Sequence, residues 1–494
     1  MKKLIILLIT FSLVCTFPIH ADIVEPGVKG EKYQTGYDYK EIVFLTGEPV
    51  ELRGILKITE SATGGKTKTT LDYTLSNTEK KATLKRKIVF NENVINADNN
   101  YQAGIETTID PKVTEVITID GKTYTLKDYI FSKSSAVDNK NIIKYTSGFW
   151  NGTKRYTEGT ANELTINISA DSYKYENYWS TVETALIRHI ITYKRPKTTT
   201  STTYIENTGD IEYGVTTIKT KRVLERESQP SAISFKESYV LSEHEENTVV
   251  YKYDLPNLKV TDVTKRKTGE GSYTMNTLPQ LKPLPIPRYT DITGYWAEGD
   301  IKKLFSLGVV SGESNYYNPL VPINRGEFAR AIVNACGLMK EEETAAKNKA
   351  KTKAKVEPEI SYSDLNTDDP NYEFIQKALT TGIMKGIDIN RFDPDGTLTK
   401  AQAVTTIVRA LGLEDMRLTG ARAPFMDENT ISNWAKKSMT VAYDMGIIDV
   451  NEYGMVQPNK TLTRGECANL INRFITYLQD KISTDYRERI VNFR

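Results

Sequence analysis

From Asp22 to about Met275 hydrophobic and polar positions alternate with a period of two. Val113–Ile119 and Lys122–Leu126 flank Asp120-Gly121, which predicts a β-hairpin, because Asp-Gly supplies the positive φ angles a two-residue turn needs. Further strands are predicted at Glu41–Phe44, Val50–Ile58, Thr69–Leu75, Leu84–Phe90, Leu164–Ile168, Ile187–Tyr193, Val215–Leu224 and Thr248–Tyr253. All are rich in Thr, Tyr, Val and Ile, which suit a pleated, half-buried surface. The pattern predicts an antiparallel, sandwich-like all-β region over residues 22–275, as one or two domains.

The period then changes. Pro279–Pro287 holds four prolines in nine residues, which predicts an extended spacer and a domain boundary at 276–288. Beyond it a pattern recurs three times. A basic residue (Arg325, Lys400, Arg464) follows a proline (Pro319, Pro394, Pro458) by six positions and a glycine (Gly308, Gly382, Gly446) by 17 or 18. An aspartate opens each copy: Asp291, Asp364 and Asp427. Trp296, Ile301, Leu304 and Phe305 lie at helical spacing ahead of Gly308, as do Trp434, Met439, Ala442 and Tyr443 ahead of Gly446, with the glycine a natural helix stop. A second helix should start at Asn324, Thr399 and Thr463, each of which opens a capping box with Glu327, Gln402 or Glu466. Each repeat is a helix, a loop and a helix, too small to bury its own core, so the three must pack together. The expected modules are 289–339, 360–414 and 415–476, with a charged insertion at 340–359 and a helical tail at 477–494.

Composition adds a compartment. Lys2 and Lys3 precede an apolar run from Leu4 to Phe17, which predicts a secretory signal over residues 1–21. Removing those two lysines takes the formal net charge from +2 to 0, so charge gives no argument for nucleic acid or for an acidic membrane as partner. Only Cys336 and Cys467 remain in the mature chain, and they are expected to be buried thiols rather than a disulfide or metal pair. No cofactor or metal is expected. His189 sits in an apolar strand pattern and is expected to be packed, and the tyrosines and Trp179 around Tyr173–Trp179 are expected to pair across strands. No nucleophile, acid–base or metal constellation stands out in the β region.

The repeats resemble the S-layer homology family, marked by an opening Phe-x-Asp, a tryptophan, a Gly-Ile-x-x-Gly turn and a Thr-Arg-Ala-Glu tetrapeptide. The resemblance covers about Tyr289 to Phe474 and implies a pseudo-threefold cluster of three modules. It implies grooves that bind secondary cell-wall polysaccharide, commonly through a pyruvylated sugar, with peptidoglycan the alternative wall partner, and so anchor an exported protein non-covalently to a Gram-positive envelope. Carried over residue by residue, it makes Asp291, Trp296, Arg325, Asp364, Lys400, Asp427, Trp434 and Arg464 candidate carbohydrate-binding residues. Each basic residue would use the unpaired amides and positive dipole end of its helix to hold a carboxylate. Lys400 for arginine, Gln402 for glutamate and Pro370 at the tryptophan position predict a poor groove in the second module. The β region is expected to be a non-enzymatic structural or adhesive module, in a surface protein with possible self-association in a layer. The alternative is an enzyme acting on polysaccharide.

Overall fold

The computed structural model describes residues 24–63, 66–96, 102–159, 162–196, 203–225, 239–258, 265–310, 314–339, 360–414 and 425–481. The predicted signal segment, the charged insertion and most of the tail lie outside these.

The described residues of the β region form one continuous antiparallel sheet of fifteen strands. These are β1 (Gly27–Tyr33), β2 (Gly36–Val43), β3 (Val50–Thr63), β4 (Lys66–Asn77), β5 (Ala82–Asn96), β6 (Gln102–Ile109), β7 (Thr114–Ile119) and β8 (Lys122–Lys140). They continue as β9 (Ile143–Glu158), β10 (Asn162–Glu176), β11 (Ser180–Pro196), β12 (Tyr204–Glu225), β13 (Tyr239–Pro256), β14 (Arg266–Thr274) and β15 (Gln280–Pro283). Neighbours in sequence are mostly neighbours in space; β7 bridges β5 and β8, and β15 pairs with β13. The predicted hairpin is present, with Asp120 and Gly121 at φ 48° and 79°. All the predicted strands occur, but several are far longer, up to the 22 residues of β12.

The sheet curls until its ends meet. Asn247 of β13 donates to the Lys29 carbonyl of β1 (2.8 Å), and Tyr273 of β14 donates to the Pro26 carbonyl (3.1 Å). Inside lies one apolar core drawn from β1 through β14, including Leu52, Ile88, Trp150 and Val215. That core also holds charge. Arg86 donates to Glu41 (2.7 and 2.8 Å) and Glu115 (2.6 Å), and Lys154 reaches Glu25 (2.7 Å) and Glu115 (3.4 Å), all of them buried. The two cations hold the Glu115 carboxyl down at about 2 against the desolvation that alone would raise it, whereas burial raises Glu41. His189 is packed as expected, edge-on to Tyr213 at 5.0 Å, and burial beside Lys154 and Arg86 pushes its imidazole down to about 3.

Among the described residues six α-helices follow: α1 (Glu298–Ser306), α2 (Arg325–Ala335), α3 (Tyr372–Thr380), α4 (Lys400–Ala410), α5 (Asn433–Asp444) and α6 (Arg464–Asp480). They come in pairs, one pair per repeat. The first helix of each pair ends at the predicted glycine, and Gly308, Gly382 and Gly446 all have φ near 70°. Packing is exchanged between repeats: α1 lies on α6, α3 on α2 and α5 on α4. Cys336 and Cys467 are buried within this cluster, as expected.

Two expectations need correction. The proline-rich stretch is not a free spacer, since Gln280–Pro283 forms an edge strand on β13 and Ser306 of α1 donates to the Pro285 carbonyl (2.7 Å). Trp179 is not a cross-strand pair of the sheet. It sits at the β10–β11 turn, 1% exposed, inside the helical core, and its Nε1 donates to the Ala335 carbonyl at the end of α2 (2.8 Å). The other long helices are met in the same way. Asn177 and Ser180 donate to the Leu478 carbonyl near the end of α6 (both 3.1 Å), and Asn141 of the β8–β9 turn donates to the Arg409 carbonyl of α4 (2.6 Å). Carbonyls in the last turn of a helix have no intrahelical partner. Here the sheet supplies one to each of the three long helices.

Candidate functional site

The three long helices start in a ring. Each start carries its predicted capping box: Asn324 with Glu327, Thr399 with Gln402 and Thr463 with Glu466, with both hydrogen bonds present in every case. The cap satisfies the third amide of the helix. The first two are satisfied by another repeat. Arg325 and Gly326 donate to the Gly396 and Pro394 carbonyls of the second repeat, and Lys400 and Ala401 donate to Lys460 and Pro458 of the third. Arg464 and Gly465 donate to Val321 and Pro319 of the first, all at 2.9 Å, and the circle closes. Isolated bridges Asn324–Thr397, Thr399–Thr461 and Pro322–Thr463 run round the same ring.

This corrects the expected chemistry. The amides at the helix starts are already paired, so the basic side chains do not stand beside open donors. What they do differs from copy to copy. Arg325 is 7% exposed and lies over the Phe392 ring (4.7 Å), and it donates through Nε to the Phe392 carbonyl and through Nη2 to that of Lys385, both at 2.8 Å. Arg464 forks onto the Glu327 carboxylate and also donates to the Tyr317 carbonyl (3.0 Å). Glu327 therefore both caps α2 and ties the first repeat to the third. Lys400 is the exception. It is half-buried, burial lowers its pKa, and it makes no ion pair or side-chain hydrogen bond among the described residues. Glu466 across from it is held by Lys460 instead.

The aspartates brace the loops. Asp291 accepts from the amides of Tyr317 and Asn318 (2.9 and 2.6 Å), Asp364 from Phe392 and Asp393 (2.9 and 2.6 Å), and Asp427 from Val456 and Gln457 (2.9 and 2.7 Å). One geometry recurs three times: two adjacent loop amides on the two oxygens of one carboxylate. The tryptophans are open, with Trp296 63% and Trp434 57% exposed. Trp296 leans on Tyr295 (5.6 Å), and Tyr295 closes over Gly465 at the start of α6, where a Cβ would lie 2.5 Å from its hydroxyl. Trp434 is carried by α5, which packs on α4, the helix of Lys400. Where the first repeat meets the third, an indole, a capped helix start and a basic residue thus come together, and where the third meets the second the helix of Trp434 packs on that of Lys400. At the boundary of the first and second repeats the indole is missing, and the Pro370 carbonyl accepts from Arg330 (3.0 Å).

Residues 288–329, 361–404 and 424–468 match the S-layer homology domain family. The chain carries three S-layer homology domains. Its relatives include the surface-layer 125 kDa protein of Lysinibacillus sphaericus, 28% identical over 202 residues, or 40% of this chain and 16% of that protein. The S-layer protein EA1 of Bacillus anthracis is 26% identical over 179 residues, 36% of this chain and 19% of that one. An endoglucanase of Bacillus sp. strain KSM-635 is 28% identical over 131 residues, 26% and 13% of the two chains. The matches thus span less than a fifth of these relatives' length. With its domains and its surface-layer relatives, the chain is a secreted protein of the cell surface, and no described helix is long and apolar enough to cross a membrane.

Proposed function

We propose that the S-layer homology domains form a pseudo-threefold cluster that anchors the chain to the cell wall by binding secondary polysaccharide between domains, with the β region displayed as a structural or adhesive module. The observation that carries this reading is the closed ring of helix starts flanked by exposed indoles. Trp296 and Trp434 offer faces for sugar rings. Of the three basic residues of the ring, Lys400 is half-buried and has no ion pair or side-chain hydrogen bond among the described residues, and such a group gains most when a carboxylate, such as that of a pyruvylated sugar, enters its groove. The groove expected from sequence to be the weakest is therefore the strongest candidate. Arg325 and Arg464 shape their grooves from within, and Asp291, Asp364 and Asp427 hold the loops that form the rims.

Co-sedimentation of the full chain with purified Gram-positive walls tests this, before and after the walls are stripped of secondary polysaccharide. Binding is expected to vanish on stripped walls and to fall at least tenfold in Lys400→Ala and in Trp434→Ala. Equal binding to stripped walls, or full binding by both variants, overturns the proposal.

A further inference from the structure

The outer face of the sheet carries a trough of about 850 Å³ that crosses strands β9 to β14, and neither the helices nor the core uses it. Two cross-strand rows wall it. One runs Phe149, Asp171, Leu186, Gly214, Val250 and Ser272 in consecutive register. Phe149, Leu186 and Val250 are 48%, 55% and 51% exposed; Leu186 and Val250 meet across Gly214, and Asp171 separates them from Phe149. The other wall runs Arg188, Glu212, Lys252 and Glu270, alternating in sign across four strands. Gly214 leaves a notch in the first row, into which Val250 leans.

The wall chemistry selects an occupant. Asp171, Glu212 and Glu270 set three carboxylates in the lining against the two cations Arg188 and Lys252, and Arg188 is already forked onto Asp210 beside the trough. A polyanion such as nucleic acid or a phosphate polymer is repelled. An extended peptide binds a sheet through open backbone groups, but β9 to β13 are paired on both sides, and a strand added to β14, the last of the sheet, would run alongside the trough rather than across it. What fits is an uncharged chain with apolar faces on one side and groups that both donate and accept on the other. Five strand spacings of ~4.8 Å give a trough of roughly 24 Å, long enough for several sugar rings.

We propose that this trough binds a neutral glycan strand laid across β9 to β14, with ring C–H faces on Phe149, Leu186 and Val250 and hydroxyls on Glu212, Lys252 and Glu270. The site is separate from the wall-binding grooves and does not depend on them.

The test is affinity electrophoresis of the full chain in gels containing hydroxyethylcellulose, dextran or galactomannan. At least one polymer retards the chain, and a Phe149→Ala/Glu212→Gln/Lys252→Ala variant with an unchanged circular-dichroism spectrum binds it at least tenfold more weakly. Lys400→Ala leaves this retardation intact, which keeps the trough distinct from wall anchoring. Free migration of the wild type in all three gels overturns the proposal, and so does equal retardation of the triple variant. A dimer in sedimentation velocity that the triple variant dissolves also overturns it, since the face would then dock a second copy.

Discussion

Trp179 is where the sheet and the helices become one structure, and its replacement should separate them. The indole is fully buried, stands edge-on to Tyr178 at 5.1 Å and donates to the Ala335 carbonyl. Trp179→Ala removes a large side chain from a packed core, a change that costs about 3–5 kcal/mol. Trp179→Phe keeps most of the ring but leaves the carbonyl without its donor, at about 1–3 kcal/mol. The assay is urea unfolding of the full chain, followed both by helical ellipticity and by intrinsic fluorescence. The wild type should give coincident transitions, since turns of the sheet hydrogen-bond near the ends of all three long helices. Trp179→Ala should move the helical transition to lower urea and split it from that of the sheet. The starts of the helices lie about 16 Å away along an eleven-residue helix, so wall binding of the still-folded variant should persist. A loss below about 1 kcal/mol with coincident transitions would refute the claim that this side chain couples the two parts.

The basic residues should divide by role. Arg325→Ala should cost about 3 kcal/mol in thermal or urea unfolding, because the buried Phe392 carbonyl and the partly buried Lys385 carbonyl lose a charged donor, whereas Lys400→Gln should leave stability within about 0.5 kcal/mol; the reverse order would show the roles are misassigned. Arg86→Met should cost about 3–5 kcal/mol, since it leaves Glu41 and Glu115 buried with one cation fewer, and a change under 1 kcal/mol would mean the cluster is not closed to water. His189 titrates near 3 in the fold against about 6.5 unfolded, so the unfolded chain takes up the proton first. Its contribution is complete above pH 6.5 and drains as pH falls toward 3, at about 1.4 kcal/mol per pH unit. Between pH 7 and 5 that amounts to about 2 kcal/mol, which His189→Phe should remove from the pH profile of urea midpoints; an unchanged slope counts against a neutral buried imidazole.

Local rules made much of this molecule legible in its sequence. Period-two alternation marked the strands, Asp120-Gly121 the hairpin, and the Asn324, Thr399 and Thr463 boxes the helix starts, because each depends on residues a few positions apart. The repeat itself required three helix pairs to share a core, and they do. Its match to the S-layer homology family was equally legible, since the marking residues recur at fixed spacing. The sequence also placed Trp296 and Trp434, both of which stand exposed.

Tertiary structure decided whatever depends on partners from distant segments. Three helix starts of identical local pattern look alike in sequence. Only the ring shows that their amides are already paired, that Arg325 and Arg464 are committed to internal partners, and that Lys400 has no such partner among the described residues. The curl of the sheet, the Arg86–Lys154 charge cluster and the seat of Trp179 among the helices join residues from 29 to more than 150 positions apart. Short-range pattern fixes which groups need a hydrogen-bond partner or a place in the core, and only the assembled chain fixes which distant group meets that need.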